Sequence, residues 1–420
     1  MAEHGNQVRG AVRLIALSAA LCVLCSAQFR VSVSVSPFTE SVFARGVVYT
    51  DGELTARDPG QLQRLFVKYG ANEVYARIAT TRRYTTGSGD HSLTRGLDRA
   101  RLAAAVHLPF NPELGLFNIY GDVRCQPAPD FSDDPDLKPP ATWTSLRIDQ
   151  MQPILSRYAA KTAREILATG VKVRIWDLGN EVDFGVAGVA VHPLAGGCDD
   201  TAGGAGWYRP PDQVDTAIGK MSVADLMRLP EAKRITWLEQ HLWPHMAKLF
   251  AAVVRGIRAA DPDARFSTHL SGMSATRSAQ AVAFFRAMRD GGYAPDELGL
   301  SCYPSSSGEP LEDFQKTVAA LREKLGRPVF VAEFAYSSRP ITGGPFKDWN
   351  HPLKGYPLTP EGQADIYRAL VQWGKTNGLS GIRPWAPDFA APGWGPMSLF
   401  TMTPKTATAA PALGVFRLTP

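Results

Sequence analysis

The stretch Val171–Glu181 reads VKVRIWDLGNE and places a glutamate at the end of an apolar, strand-like run. A second run, Arg327–Glu333 (RPVFVAE), also ends on a glutamate. A carboxylate at the C-terminal tip of a buried parallel strand is desolvated on one side and open to a cleft on the other. Carboxyl groups in such places acquire shifted pKa values, so Glu181 and Glu333 are the first candidate functional residues.

Strand-like and helix-like patterns alternate along the chain, which predicts a parallel α/β fold. A chain of 420 residues fits one (β/α)8 TIM barrel, with long loops predicted after strands 3, 4 and 7. The loops after strands 3 and 4 include the Pro-rich Gln126–Pro140 and the Gly-rich Val186–Gly206, which either wall a cleft or are disordered insertions. The predicted strands are Arg45–Thr50, Asn72–Ala79, Leu114–Tyr120, Val171–Leu178, Arg265–Ser271, Leu298–Tyr303, Val329–Glu333 and Gly381–Trp385.

Two helix starts are well marked. Asp58-Pro59 and Thr359-Pro360 each combine a capping side chain with a proline suited to the first helical turn. Composition is that of an ordinary globular protein, with 45% apolar and 20% charged residues. The formal net charge is +5 and no run of Lys or Arg forms a basic stripe, so nucleic acid is not an expected partner.

The N-terminus has the pattern of a secretory signal peptide. Arg9 and Arg13 precede the apolar run Leu14–Leu24, and Cys25-Ser26-Ala27 offers small residues for cleavage before Gln28. We expect residues 1–27 to be removed and residues 28–420 to form the barrel domain, a secreted or periplasmic monomer with no membrane association. The alternative is an uncleaved N-terminal anchor, although the run is short for a membrane span.

Three cysteines would remain after cleavage. Cys125 and Cys198 both fall in loops after neighbouring strands, so one bridge between them is an open possibility. Cys302 lies in an apolar strand and is expected to be a small core residue. No cysteine spacing indicates a zinc site, and no cofactor is expected.

The two glutamates suggest a chemistry when considered together. Opposite strands of a small barrel bring their tips across one mouth, so carboxyl groups on strands 4 and 7 can approach to about 5 Å. Retaining glycoside hydrolysis requires one carboxyl group as acid/base and one as nucleophile at that separation. The non-catalytic alternative for each glutamate is a salt bridge with an arginine at the barrel rim.

Four motifs carry a resemblance to glycoside hydrolase family 53 of clan GH-A, the arabinogalactan endo-β-1,4-galactanases. Their order and spacing hold from about residue 45 to about residue 390. The most specific is Tyr356–Ala364 (YPLTPEGQA), which is nearly the family's "YP.TPEGQA". The others are Leu298–Pro304 (LGLSCYP) beside "IGLSYYP", Val331–Tyr336 (VAEFAY) in strand 7, and Trp385–Pro387 (WAP) beside "WEP".

This resemblance implies a secreted endo-β-1,4-galactanase in which Glu181 is the acid/base and Glu333 the nucleophile. Three departures concern the sugar-binding cleft: Ile119–Asp122 (IYGD) replaces "HYSD", Tyr75–Arg77 (YAR) replaces "RLR", and Ala386 replaces the "WEP" glutamate. Two alternatives therefore stay open. One is a retaining clan GH-A enzyme for another β-glycan, and the other is a non-catalytic carbohydrate-binding barrel.

Further residues are expected at the same site. Arg77 would hold Glu333 ionised, Asn180 would bind a sugar 2-hydroxyl, and Tyr303 would donate to the nucleophile. The candidate sugar contacts also include Asp122 in the IYGD segment and His269, which falls where the family has a strand-5 histidine, although a buried core histidine fits equally well. Trp385 could stack on a pyranose ring, and further candidate platforms are Trp176, Trp207, Trp349 and Trp394.

The loop after strand 7 contains three polar residues, Asp348, Asn350 and His351, where some relatives resemble calcium-binding proteins. Oxygen ligands suit calcium, but this spacing is loose. A solvated polar loop is the preferred interpretation, and no metal site is expected.

Overall fold

The computed structural model describes residues 28–84, 89–194, 208–389 and 393–418. Within them, eight strands, numbered β1 to β8 in chain order, form one sheet in which each strand is parallel to its neighbours. The strands are β1 (Arg30–Val31), β2 (Val74–Ile78), β3 (Phe110–Leu114), β4 (Trp176–Leu178), β5 (Phe266–Leu270), β6 (Glu297–Cys302), β7 (Val329–Phe334) and β8 (Leu379–Pro384).

The sheet closes into a barrel. Its order is β1-β8-β7-β6-β5-β4-β3-β2, so strands that follow one another in sequence lie side by side. At the remaining edge, the Asn72 backbone N–H donates to the Val31 carbonyl at 3.0 Å, which joins the approach to β2 to β1. The predicted (β/α)8 architecture is therefore confirmed.

Helices cover the outside of the strands and bury their apolar faces against them. Asp58 and Thr359 cap their helices as predicted, accepting from the N–H groups of Gln61 and Gly362. The α-helices among the described residues are Thr39–Ala44, Pro59–Lys68, Leu93–Ala105, Ile148–Leu167, Val223–Arg228, Glu231–His241, Trp243–Arg258, Gly272–Ala275, Ser278–Asp290, Pro304–Ser307, Leu311–Leu325, Pro360–Asn377 and Pro411–Gly414. None of these helices has the length and apolar character of a membrane span.

The prediction of Arg45–Thr50 as the first barrel strand was wrong. Residues Val48–Thr50 instead belong to a separate four-stranded sheet with Thr55–Ala56, Thr406–Ala409 and Phe400–Met402. The true β1 opens the alternating segment Val31–Ser36 (VSVSVS), whose serines turn inward, as Ser32 does when its hydroxyl donates to Glu73 at 2.6 Å. Because only every second residue is apolar, this buried segment resembles an edge strand in sequence.

The third strand was predicted four residues too late. The structure has β3 at Phe110–Leu114, whereas the prediction was Leu114–Tyr120. Asn111 and Glu113 within β3 point into the barrel and are fully buried. A barrel interior in which polar groups pair with one another can accept such residues. A prediction based on apolar runs does not detect a strand that contains them.

Long connections follow β3, β4 and β7, as predicted. The chain runs from β3 to the helix Ile148–Leu167, from β4 to Trp243–Arg258, and from β7 to Pro360–Asn377. All three leave the C-terminal ends of their strands, the end at which TIM barrels place their functional sites.

Candidate active site

The tip of β4 turns sharply and thereby positions Asn180 and Glu181. Gly179 has a φ of +75°, and a Cβ there would come within 2.4 Å of the Val182 side chain, so glycine is needed at this position. Glu181 itself adopts a left-handed φ of +47°, which is unfavourable for a residue with a side chain. Strain of this kind is held by surrounding contacts and is common at functional sites.

Glu181 lies in surroundings that favour its protonated form. Its exposed fraction is 7%, and its carboxylate oxygen Oε2 has the Val123 backbone N–H at 3.5 Å, a long contact. Burial raises the pKa of Glu181 to about 8, with further contributions from the negative charges of Glu333 and Asp122. This carboxyl group therefore holds a proton at neutral pH and can give it away.

Glu333 is the fifth residue of β7, and two side chains donate hydrogen bonds to its carboxyl group. The Arg77 guanidinium donates to Oε1, and the Tyr303 hydroxyl donates to Oε2 at 2.5 Å. Burial and the charge of Glu333 raise the pKa of Tyr303, so the phenol stays protonated as a donor. Two charge-assisted hydrogen bonds thus stabilise the Glu333 carboxylate.

Arg77 connects three strands through one guanidinium group. It projects from β2, donates through Nε to Glu113 of β3, and donates through Nη2 to both Glu333 and Asn180, the latter at 2.6 Å. Glu113 is fully buried and also accepts from the Tyr75 hydroxyl at 2.9 Å. Glu113 was missed in the sequence, although a glutamate within a strand at the barrel interior is a signal that could have been used.

Asn180 is fixed from both sides of its amide. Its Nδ2 donates to the Gly121 carbonyl at 2.6 Å, and its Oδ1 lies 2.9 Å from Nε2 of His269. His269 is fully buried behind Asn180. It therefore does not contact a bound sugar directly and influences the site through its contact with Asn180. Burial of His269 favours a neutral ring, but Asp177 at 3.4 Å outweighs this and raises the His269 pKa.

Among the described residues, one group has the donor types and spacing of a metal site. Glu113, Asp177 and His269 each offer a ligand atom, all within 4.8 Å of one another. However, Arg383 of β8 already donates to Glu113 and to Asp177, at 3.1 Å each. Because a guanidinium already neutralises these carboxylates, the group does not fit an additional cation.

The comparisons with known proteins agree with this geometry. The family model described as "Glycosyl hydrolase family 53" matches residues 216–407, which include β5 to β8 and Glu333. The chain is similar to the GH53 catalytic domain of Ignisphaera aggregans, with a TM-score of 0.66 and 18% identity over 94% of this chain and 96% of that one. No curated protein matches the sequence.

The chain is similar to glycosyl hydrolase family 53 in sequence over residues 216–407 and in fold over most of its length. A structure described as one of two fungal β-1,4-galactanases has a TM-score of 0.65 and 16% identity, covering 93% of this chain and 99% of that one. A GH10 structure from Paenibacillus barcinonensis has a TM-score of 0.50 and 16% identity, covering 93% and 99%. The resemblance that the motifs indicated is confirmed at the level of the family and the fold.

Several aromatic residues lie together beside Glu333. Trp394 is buried, and its ring centroid lies 4.6 Å from Trp385, 6.5 Å from Trp349 and 6.3 Å from Tyr303. Tyr303 in turn lies 5.2 Å from Trp349. Trp385 and Trp349 are only half-buried. A small cavity beside Trp385 is also lined by Tyr75, Arg77 and His91, and neither Glu181 nor Glu333 is among its lining residues. Trp385 and Trp349 are therefore the available stacking surfaces.

Two other platform predictions have a different outcome. Trp176 is fully buried, and its Nε1 donates to Asp261 at 2.9 Å, so the prediction that it is a sugar platform was wrong. Trp394 supports Trp385 from beneath, with an exposed fraction of 2%. Trp207 lies outside the described residues.

The polar loop after β7 is held together by Asn350. Its Oδ1 accepts from the Ile341 N–H at 2.7 Å, and its Nδ2 donates to the carbonyls of Ile341 and Lys347. Asp348 is exposed and lies 3.4 Å from Nζ of Lys347. The Asn350 amide thus organises the loop backbone.

Asp122 and the cysteines complete the set of predicted residues. Asp122 has an exposed fraction of 8%, and its Oδ2 lies 3.4 Å from Nη2 of Arg124.

Cys125 is disulfide-bonded, whereas Cys198 lies outside the described residues. Cys302 is free and buried, as expected of a core residue. The signal-peptide prediction for residues 1–27 also falls outside the described residues.

Proposed function

We propose that this protein is a retaining endo-glycosidase that cleaves β-1,4-galactan, with Glu181 as acid/base and Glu333 as nucleophile. The observation that carries the proposal is the contrast between the two carboxyl groups. Burial and neighbouring negative charges keep Glu181 protonated, whereas Arg77 and Tyr303 bind the ionised form of Glu333. The first chemical step requires one protonated and one ionised carboxyl group.

In that first step, the Glu333 carboxylate attacks the anomeric carbon as the bond to the leaving oxygen breaks. Glu181 transfers its proton to that oxygen, so the shortened glycan leaves as a neutral alcohol. The product is a covalent glycosyl-enzyme ester on Glu333. Asn180 precedes Glu181 and shares the Arg77 guanidinium with Glu333. It would bind the sugar 2-hydroxyl, a contact that strengthens in the transition state.

In the second step, the same two residues act in reverse. Esterification removes the negative charge of Glu333, so the Glu181 pKa falls and its carboxylate becomes a base. It takes a proton from water, whose oxygen attacks the anomeric carbon and releases Glu333 as a carboxylate. Glu181 is then protonated again, and two inversions give net retention.

The proposed substrate is supported by the likeness to glycosyl hydrolase family 53 and by the aromatic cluster beside Glu333. The similar fungal structure is described as a β-1,4-galactanase, and half-buried Trp385 and Trp349 offer faces on which pyranose rings can stack. The test is a panel of purified polysaccharides that includes β-1,4-galactan, β-1,4-mannan and β-1,4-xylan, with analysis of the released products. We expect short galacto-oligosaccharides from β-1,4-galactan and no products from the other two.

Other results of this polysaccharide panel would favour one of the alternative functions. Hydrolysis of another β-glycan alone would contradict the galactan assignment, and the changes at Ile119–Asp122 and Ala386 would then be read as specificity changes. Binding of galactan without hydrolysis would make the protein a carbohydrate-binding barrel. The inactive variant Glu333→Ala provides the matched background in both cases.

We also propose export from the cytoplasm, with cleavage before Gln28. Support comes from the basic, apolar and small-residue pattern of residues 1–27 and from the disulfide at Cys125, which fits an oxidising compartment. N-terminal sequencing of the protein recovered outside the cytoplasm should begin at Gln28. An intact N-terminus in membrane fractions would contradict this and favour an anchor.

A further inference from the structure

Gln126 lies directly behind the acid/base residue, and no step of the mechanism yet uses it. It is 3% exposed and follows a short hairpin in which Asp122 and Cys125 exchange two backbone hydrogen bonds of 2.9 Å. Its side-chain Nε2 contacts three backbone carbonyls, those of Asp122 at 3.0 Å, Asn180 at 2.6 Å and Glu181 at 3.2 Å.

These contacts determine which way round the amide is placed. An amide oxygen facing three carbonyl oxygens would be repelled, so the nitrogen with its two hydrogens must face them. One side chain from the β3 loop therefore binds two consecutive peptide groups at the tip of β4. Those are the peptide groups on either side of the left-handed Glu181 backbone.

The direction of the Glu181 side chain depends on that backbone conformation. A relaxation of its φ from +47° to an ordinary negative value would rotate the Cα–Cβ bond away from its present direction. The contact that Gln126 makes to the Glu181 carbonyl restrains this rotation. The other backbone restraints near it are the Glu181 N–H, which lies 3.3 Å from Nε2 of His269, and the Val182 N–H, which donates to the His269 carbonyl at 3.2 Å.

The side chains of Asn180 and Glu333 have supports of their own, although Gln126 also binds the Asn180 backbone carbonyl. The Asn180 amide is fixed by Arg77, His269 and the Gly121 carbonyl, and Glu333 is fixed by Arg77 and Tyr303. Loss of the Gln126 amide should therefore affect the acid/base residue selectively, while the nucleophile and the 2-hydroxyl contact keep their supports.

We propose that Gln126 is a positioning residue for Glu181, holding the left-handed peptide that aims the carboxyl group at the leaving oxygen. The inference rests on the proposed function. Its signature is a dependence on the leaving group, since a good leaving group departs without a proton and a poor one does not. A purely structural role would reduce activity on all substrates alike.

The test uses aryl β-galactobiosides whose leaving groups range from 2,4-dinitrophenol to unsubstituted phenol, with kcat/KM as the readout because it reports the step in which Glu181 is the acid. Gln126→Met keeps the length of the side chain and removes both donors. We expect a loss of about tenfold or more on the phenyl substrate and of about threefold or less on the dinitrophenyl substrate, within the range that a general acid supplies. The Glu181→Ala variant should show the same trend more steeply.

Two further variants secure the interpretation. Gln280→Met alters another buried glutamine, one that contacts Arg234 and Ser274 on the outer helix Ser278–Asp290, and its kcat/KM should parallel the wild type across the series. Gln126→Asn keeps the amide on a shorter chain, so it should recover part of the loss on the phenyl substrate. It also serves as the test variant if Gln126→Met does not fold.

Equal losses on both substrates, or no loss on either, would overturn the role of Gln126. That result differs from a failure of the proposed function, in which the wild-type protein hydrolyses none of the galactobiosides. It also differs from a wrong assignment of the acid, in which Glu181→Ala shows no dependence on the leaving group.

Discussion

The two glutamates of the site have the same side chain, nearly the same burial and opposite surroundings. Around Glu333, Arg77 and Tyr303 donate hydrogen bonds directly to the carboxylate. Around Glu181, the only donor contact to the carboxyl group among the described residues is the 3.5 Å approach of the Val123 N–H, and Asp122 adds negative charge. Both side chains are buried, so the difference lies in the hydrogen-bond donors and charges beside them.

The groups that surround Glu333 and those that surround Glu181 come from different strands. Arg77 of β2 and Tyr303, directly after β6, donate to the Glu333 carboxylate on β7. The loop after β3 instead places one backbone N–H and a negative charge beside the carboxyl group of Glu181, three residues after β4. Substitutions that remove one of these groups at a time test the difference between Glu181 and Glu333.

The largest effect is expected from removing either carboxyl group. Glu333→Ala and Glu181→Ala should each lower kcat/KM on galactan by about 10⁴-fold or more, as loss of a nucleophile or acid commonly does. Added azide should separate the roles. In Glu181→Ala it attacks the glycosyl-enzyme and gives the β-azide, whereas in Glu333→Ala it replaces the nucleophile and gives the α-azide.

A matched control is Glu297→Ala, which removes an equally buried glutamate at the opposite, N-terminal end of β6. This variant should lose stability, because Glu297 pairs with Arg30, but should keep its activity per folded molecule. Azide products of the reverse configurations would exchange the two roles, and unchanged activity in Glu333→Ala would remove the assignment altogether.

A smaller loss is expected from Arg77→Lys, which keeps the charge but removes the planar fork. One ammonium group cannot serve Glu113, Asn180 and Glu333 together. We expect kcat/KM to fall by about tenfold or more, since a hydrogen bond to a charged group contributes about 1.5–3 kcal/mol. The acidic limb of the pH profile should move to higher pH, because the ionised nucleophile loses part of its support.

Arg99→Lys is the matched control for this change. Arg99 is also buried and pairs with Glu40, on the helix Leu93–Ala105 outside the barrel. Its pH profile should superimpose on that of the wild type. An acidic limb that stays in place in Arg77→Lys would mean that Arg77 is a structural ion-pair partner only.

The sequence contained enough to find Glu181, Glu333, Asn180, Arg77 and Tyr303. Each lies at or near the C-terminal end of a strand, and four of the five follow or end an apolar run that can be recognised locally. In a parallel barrel these ends must meet, so the proximity of distant residues follows from the fold class alone.

Glu113, Arg383 and Gln126 could not be found in the same way. Glu113 and Arg383 are charged residues inside strands, acceptable only because they meet each other at 3.1 Å across the barrel. Gln126 lies in a loop whose conformation is set by long-range contacts. These residues pair with partners 54 to 270 positions away in the chain. Local sequence patterns do not specify such distant partners.

The raised pKa of Glu181 also has a consequence for stability. Its folded-state pKa is about 8 against an ordinary value of 4.5, so unfolding above pH 4.5 releases a proton. The contribution of Glu181 to the free energy of unfolding is therefore highest below pH 4.5 and declines until about pH 8. Glu181→Gln should be more stable than the wild type by on the order of 3 kcal/mol at pH 7, and by little at pH 4.5.

Chemical denaturation of both proteins across this pH range measures the difference directly. Exposed Glu53→Gln is the control and should follow the wild type at every pH, because its carboxyl is largely solvated. A constant difference between Glu181→Gln and the wild type would show that Glu181 has the same protonation state in the folded and unfolded chains.

The smallest effect concerns the charge of Asp122, which faces Glu181 from the β3 loop. Asp122→Asn keeps the shape and removes one of the negative charges that raise the Glu181 pKa, so that pKa should fall. The basic limb of the kcat/KM profile reports loss of the Glu181 proton in the free enzyme and should move to lower pH, by roughly one unit or less. Asp388→Asn, which alters a buried aspartate bonded to Ser36 and Thr39, should leave the limb in place. A basic limb that is unchanged in Asp122→Asn would mean that burial and Glu333 alone set the protonation of Glu181, and the contrast between the two glutamates would then owe nothing to the β3 loop.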